Sequence, residues 1–178
     1  MNKDFNTIRY KDNFPFDAVE KTRIKKVLKL IGSNGKVLDI GCGDGFISEM
    51  ILQKKNKVAG IEIAENAIKK CKKKGIEVHD LDLNFDWQKK LHGKFDVVYA
   101  GQIIEHIFDT DKFLVNIRKA LKPDGHLVID TPNLASLGRR IYLAFGFNPL
   151  IETTARSYDA GHVRYFTHGT LNTLLKEN

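Results

Sequence analysis

The period of the apolar positions changes several times along the chain, and each change marks an element. From Asp17 to Ile31, residues Val19, Ile24, Val27, Leu28 and Ile31 fall near one face of a helix with lysines between them. Gly32 is a natural stop, and the aromatic loop Phe14-Pro15-Phe16 just before the helix is placed to fold over a ligand. From residue 37, short apolar runs alternate with amphipathic stretches. Strands are expected at Val37–Ile40, Val58–Ile63, Ile76–Leu81, Phe95–Ala100 and Leu127–Asp130. Helices are expected at Phe46–Lys54, Ala64–Lys74 and Thr110–Leu121, with a turn at Lys122–Gly125. Alternation of this kind argues for an α/β fold of the Rossmann-like, doubly wound type, a mainly parallel sheet with helices on both faces. Farther on, Leu134–Phe145 reads as a helix, 146–166 as irregular chain rich in functional side chains, and Thr167 as the cap of a last helix.

The first strand carries the most informative stretch. Val37-Leu38-Asp39-Ile40 ends in Gly41-Cys42-Gly43-Asp44-Gly45, a glycine-rich turn between a strand and a helix N-terminus. Glycines there allow backbone angles that side chains block, and let a ligand lie against the main chain. α/β sheets hold nucleotide-like ligands at this place. A dinucleotide fingerprint needs G-x-G-x-x-G. Here the third glycine comes one residue early and Phe46 stands where that motif wants glycine, so a nicotinamide oxidoreductase is disfavoured. A phosphate-binding Walker loop is excluded, because no Gly-Lys-Ser/Thr follows.

The 178 residues suit one domain with a sizeable core. Three stretches are expected in it: an N-terminal helical cap (1–34), a ligand-binding core (35–133), and a helix, loop and final helix on the other side of the site (134–178). No apolar leader and no uncharged run of membrane-spanning length is visible. The two cysteines, Cys42 and Cys71, have no metal-type spacing and form no disulfide framework, so a reducing cytoplasm is the plain inference. The net charge of +7 raises the question of a nucleic-acid partner. Much of the excess, however, lies in Lys69–Lys74 at the end of a helix, where lysines favour the dipole and sit in solvent. No aromatic residues are interleaved with them, so a nucleic-acid partner is not favoured.

The form D-x-G-x-G-x-G closely resembles motif I of the class I S-adenosylmethionine (SAM) methyltransferases. Gly60-Ile61-Glu62-Ile63, Phe95–Ala100, Gln102-Ile103-Ile104-Glu105-His106, Leu121–Gly125 and Thr131-Pro132-Asn133 resemble further segments of that family, in its order. The pattern looks like the UbiE/UbiG-like branch. Gly161–Thr167 resembles a segment of methyltransferases from glycan-biosynthesis clusters. The family fold has a sixth and a seventh strand as an antiparallel edge; the chain ends at Asn178, inside the helix that should precede them, and those strands are expected to be missing. An unfinished sheet edge would allow pairing into a homodimer.

The resemblance implies SAM as cofactor and S-adenosylhomocysteine as product. It implies that Gly41, Cys42, Gly43, Gly45 and Phe46 let the backbone approach the methionine and ribose parts. Asp39 would lie beside the sulfonium and amino groups, although it could equally hydrogen-bond loop amides. Glu62 would take the ribose hydroxyls, with Ile63 beside it, by the geometry that serves NAD. Asp82 and Leu83 would hold the adenine, with Asp80 the competing acid. Gly101 and Gln102 would line the sulfonium end, and Cys42 would be a small packing residue.

Methyl transfer from a sulfonium needs alignment and exclusion of water, and an oxygen acceptor also needs a base. The implied base candidates are Glu105, His106 and His162; the alternative for the first two is to cap the following helix. Some relatives use E-x-x-E-H to hold a divalent metal, but Gln102 stands at the first glutamate and an amide is a poorer ligand, so no metal is expected. Arg139, Arg140, Arg156 and Arg164 surround the late loop and could recognise phosphate or carboxylate. The apolar Ile141–Phe147 between them is either a core-packing helix or a lid for a lipid-linked or aromatic acceptor. The expectation is a transferase that methylates a small-molecule or glycan- or lipid-linked acceptor, at oxygen. Two alternatives stand: an RNA methyltransferase with a divalent metal, and a non-catalytic SAM-binding subunit or fragment.

Overall fold

The computed structural model describes residues 18–150 and 161–178. Phe14, Pro15, Phe16, Asp17 and Arg156 lie outside the described residues. The elements are α1 (Ala18–Ile31), β1 (Lys36–Ile40), α2 (Phe46–Gln53), β2 (Lys57–Glu62), α3 (Glu65–Lys73), β3 (Glu77–Asp80), β4 (Phe95–Gly101), α4 (Thr110–Ala120), β5 (Leu121–Asp130), α5 (Leu137–Ala144) and α6 (His168–Glu177). Single 3-10 turns lie at Trp87–Lys90 and Ile104–His106.

The five strands form one sheet in the order β3-β2-β1-β4-β5, and every neighbouring pair is parallel. A parallel sheet needs both faces covered, and the strands supply apolar side chains to both. Val37, Val58, Val97 and Tyr99 pack with Val27 and Ile31 of α1, Ile51 of α2 and Cys71 of α3. Leu38, Ile40, Ile61, Val98 and Ala100 pack on the other side with Phe113, Leu114 and Ile117 of α4 and with the leucines of α6. The chain order reverses between β1 and β4, so the crevice for a ligand opens beyond the carboxyl ends of β1, β2 and β4.

Two boundaries depart from the periodicity. The strand expected from Leu127 begins at Leu121, because Phe95 already pairs with Leu121 before Val97 pairs with His126. The expected turn at Lys122–Gly125 is therefore an irregularity within β5, where Pro123 has no N–H for the ladder. The helix expected from Leu134 begins at Leu137. Its first residues are held otherwise: Leu134 donates its N–H to the Phe166 carbonyl at 2.8 Å, and the Asn133 side chain accepts from the Ala135 N–H at 2.9 Å. Thr167 caps α6 as expected, in a reciprocal pair with Thr170. Among the described residues the sheet has no antiparallel strand.

Candidate active site

The glycine turn is built by close packing as well as by backbone conformation. Gly41, Gly43 and Gly45 have φ of 71°, 57° and 78°, in the region that glycine adopts without strain. A Cβ on Gly45 would lie 2.6 Å from Ile76 Cδ1 and 3.0 Å from Cys71 Sγ, and one on Gly41 would lie 2.8 Å from Ile103 Cδ1. The Gly41 and Cys42 amides donate to the Ile61 carbonyl at 2.8 and 3.1 Å, which fixes the turn against the end of β2.

Glu62 ends β2 beside this turn, as its position predicts. Its carboxylate is buried and accepts three main-chain N–H groups: Gly43 on Oε2 at 3.0 Å, and Ile63 and Ala64 on Oε1 at 2.8 Å each. Each oxygen has about two acceptor directions, so Oε2 retains one for a ligand hydroxyl. Asp39, 2 % exposed, accepts the Ser48 hydroxyl at 2.5 Å. Burial pushes the Asp39 carboxyl up to about 7, against the Ser48 hydrogen bond and with the help of the nearby Glu62 and Asp130 charges. Cys42 is a buried free thiol with its sulfur 3.8 Å from that of Cys71. The Cys71 contact and burial both hold its pKa far above the ordinary thiol value. It is a packing residue, as expected. Phe46 and Ile63 flank the turn half-buried.

The structure gives Asp82 and Leu83 local roles. Asp82 Oδ1 accepts from both the backbone and the side-chain nitrogen of Asn84, at 2.9 and 2.8 Å, and Leu83 packs against the core. At the end of β4, the Tyr99 hydroxyl fills the space that a side chain on Gly101 would need. Gln102 has φ 52°, unusual for a residue with a Cβ. Two bonds to Asp130 hold it there: its N–H to the Asp130 carbonyl at 2.9 Å and its Nε2 to Oδ1 at 2.6 Å.

Asp130 is the residue that sequence reasoning missed. Besides Gln102 it accepts from Arg23 Nη1 at 2.9 Å and from the Tyr99 hydroxyl at 3.2 Å. Arg23 in turn pairs with Glu20, so α1 is tied across the carboxyl ends of β4 and β5. The hydrogen bond to Glu20 raises the Arg23 pKa further, with burial opposing it. The available signal was position alone: Asp130 ends the fifth strand, where ligands meet parallel sheets.

Glu105, His106 and His162 come together as expected. Glu105 and His106 are buried in the turn after β4. Glu105 Oε2 accepts the Thr131 hydroxyl at 2.9 Å, and its Oε1 lies 3.9 Å from His162 Nε2. The Glu105 carbonyl accepts the N–H groups of Val163 and Arg164 at 2.9 and 3.1 Å, and His106 Nδ1 is 3.1 Å from the Gly161 carbonyl. The His106 and His162 ring centres are 4.9 Å apart. One ligand-capable atom from each of the three lies within 4.8 Å of the others, and one carboxylate with two imidazoles is a donor set suited to a divalent transition ion. Arg164 anchors the late loop: its Nε and Nη2 donate to the Ile107 and Phe108 carbonyls at 3.2 and 2.5 Å.

Residues 15–178 match a family described as a methyltransferase domain. A ubiquinone biosynthesis O-methyltransferase of Coxiella burnetii is 30 % identical over 125 residues, covering 67 % of this chain and 53 % of its own length. The chain thus spans about half the length of that curated relative. A SAM-dependent methyltransferase structure from Archaeoglobus fulgidus superposes with TM-score 0.70 at 25 % identity, over 89 % of this chain and 66 % of the other. An N-methyltransferase from Bradyrhizobium japonicum, solved with S-adenosylhomocysteine, shares the fold with TM-score 0.70 at 20 % identity, over 99 % of this chain and 86 % of the other.

Proposed function

Since the chain belongs to the class I SAM-dependent methyltransferases, we propose that it binds SAM in the crevice above β1 and β2 and methylates a small-molecule hydroxyl. The observation that carries the cofactor reading is Glu62. Its buried carboxylate anchors the glycine turn through the Gly43 N–H at 3.0 Å and keeps an acceptor direction for a ribose hydroxyl. Oxygen as target follows the ubiquinone O-methyltransferase relatives.

In the transfer, the bond from sulfur to methyl breaks as a bond from acceptor oxygen to methyl forms, and S-adenosylhomocysteine leaves. The acceptor proton needs a base, and the geometry offers His162 at the β4 rim, with Glu105 3.9 Å behind it to stabilise the imidazolium. Alignment and exclusion of water supply the rest. Asp39 would lie toward the sulfonium and amino end of a bound cofactor, where an ionised carboxylate complements positive charge. The glycan- or lipid-linked acceptor remains within this reading.

Calorimetry with S-adenosylhomocysteine tests it. The parent chain binds with micromolar affinity, and Glu62→Ala weakens binding at least 100-fold. His162→Gln leaves that affinity unchanged and lowers transfer from labelled SAM to phenolic and sugar hydroxyls by roughly 100-fold or more. No binding by the folded parent chain would sink the proposal. The convergence of Glu105, His106 and His162 within 4.8 Å favours a second reading, in which they hold a divalent cation that orients the acceptor oxygen. In that case a chelator abolishes transfer and added cation restores it.

A further inference from the structure

Helix α5 buries none of its side chains, so the core-packing reading of Ile141–Phe147 is set aside. Helix α3 does the opposite and buries Ala67, Ile68 and Cys71. Cys71 lies against the glycine turn. Its S–H donates to the Gly43 carbonyl at 3.2 Å, and its sulfur is 3.8 Å from that of Cys42. Cys42 is 8 % exposed and Cys71 is fully buried. The chain has only these two cysteines, and both are free thiols. Neither thiol takes part in the methyl transfer described above.

An S–S bond of about 2.0 Å would draw the two sulfurs together by about 1.8 Å. The side that yields is the turn. Cys42 stands between Gly41 and Gly43, and glycines absorb changes of backbone angle that other residues resist. The cofactor cradle would feel that movement. Gly43 holds Glu62 Oε2 through its N–H at 3.0 Å and Cys71 through its carbonyl. A disulfide removes the S–H that this carbonyl accepts and pulls on the residue next to it. The Cys42 N–H is given to the Ile61 carbonyl at 3.1 Å, and its carbonyl accepts the Gly45 N–H at 3.0 Å. A shift of this one residue therefore reaches both ends of the turn.

We propose that Cys42 and Cys71 form a reversible disulfide, with a peroxide as oxidant, and that its closure loosens the cofactor cradle. The effect on binding rests on the SAM reading of the crevice; the link itself does not. The Cys42 hydrogen bond pulls the Cys71 thiol below its ordinary value, with burial opposing it, so Cys71 supplies the attacking thiolate. Its sulfur takes one peroxide oxygen as the O–O bond breaks, which gives a sulfenic acid, and the other oxygen leaves as water. The Cys42 sulfur then attacks the sulfenic sulfur and gives up its proton, and a second water leaves. The two thiols lose two electrons and the peroxide gains them. A dithiol reductant reverses the change. Coupling is reciprocal: the factor by which the disulfide weakens cofactor binding is the factor by which saturating cofactor favours the thiols.

The test treats the full chain with hydrogen peroxide under native conditions, then alkylates the remaining thiols and digests the protein for mass spectrometry. A fragment linking Cys42 to Cys71 is expected, with neither thiol left to alkylate. Calorimetry on the oxidised chain should show S-adenosylhomocysteine bound roughly tenfold or more weakly than by the reduced chain, and dithiothreitol should restore it. Saturating S-adenosylhomocysteine should shift the thiol–disulfide equilibrium in dithiothreitol buffers toward the thiols by the same factor. Cys71→Ser keeps a donor for the Gly43 carbonyl, and its affinity should be the same before and after peroxide. Two alkylated thiols on the treated, folded chain overturn the proposal. So does a linked chain that binds as tightly as the reduced one, or a Cys71→Ser variant that loses affinity to peroxide as the parent does. If the reduced parent binds no S-adenosylhomocysteine, the SAM reading falls and the effect on binding falls with it, while the linked fragment still decides the disulfide.

Discussion

Two carboxylates at the same rim of one sheet each gather three donors, and they do so by opposite means. Glu62, at the end of β2, receives three main-chain N–H groups from Gly43, Ile63 and Ala64. Asp130, at the end of β5, receives three side chains, from Arg23, Tyr99 and Gln102. The first arrangement uses groups that every residue carries and depends on where the backbone can go. The second depends on which side chains arrive. A cofactor shared by many methyltransferases suits a main-chain cradle, and side-chain lattices are the part that can differ from one acceptor to the next.

The sharpest way to break the first arrangement is to deny the backbone its path. Gly45→Val forces a β-branched residue to φ 78° and places its Cβ within 2.6 Å of Ile76 and 3.0 Å of Cys71. Conformational strain and overpacking together are expected to cost about 4 kcal/mol. Urea unfolding reads that loss, and S-adenosylhomocysteine binding should vanish in whatever fraction remains folded. A variant that unfolds like the parent would mean the turn is far looser than its contacts indicate.

This contrast also explains what the sequence disclosed. The glycine turn and Glu62 lie 19 residues apart and are linked by main-chain chemistry, so a short pattern of glycines and one acid suffices to expose them. The strands of the parallel sheet were legible for a similar reason: burial on both faces gives them continuous apolar runs. Asp130 was invisible because its partner Arg23 is 107 residues away, on a helix whose periodicity reveals a face and not a neighbour. Glu105, His106 and His162 were legible through the family resemblance alone; no period joins positions 106 and 162. The adenine-side choice of Asp82 rested on a local pattern of the resemblance, and in the structure its Oδ1 is held by Asn84. Helix α5 was ambiguous because an apolar stripe has the same spacing whether it packs on a core or waits for a partner.

Asp39 lies between the two carboxylates and feels both. Its proton leaves the unfolded chain near 3.8 but stays on the folded chain up to about 7, chiefly because of burial. Between those values the native state binds the extra proton, so this residue lowers stability as pH rises from about 4 to 7. The expected change is about 4 kcal/mol, read as a falling urea midpoint, and Asp39→Asn should remove it. A ligand with a cationic amino group favours the ionised form, so affinity for S-adenosylhomocysteine should rise across the same range in the parent and stay flat in the variant. A parent whose midpoint ignores pH in this window would show Asp39 to be hydrated in solution.

The smallest effect is expected at the side-chain rim, and it tests whether the two rims differ in robustness. Tyr99→Phe keeps the buried ring and removes two hydrogen bonds, the one given to Asp130 at 3.2 Å and the one accepted from Arg23 at 3.1 Å. Asp130 still holds Arg23 at 2.9 Å and Gln102 at 2.6 Å, and Arg23 still holds Glu20. No buried charge is left alone, so the loss should be about 1 kcal/mol. A lattice of side chains can drop one member and keep its charges paired. A main-chain cradle has no such spare, because removing the Glu62 carboxylate strands three N–H groups at once. If Tyr99→Phe instead costs as much as Glu62→Ala in the same denaturant assay, the side-chain rim is as indivisible as the main-chain one, and the freedom to vary it for different acceptors is lost.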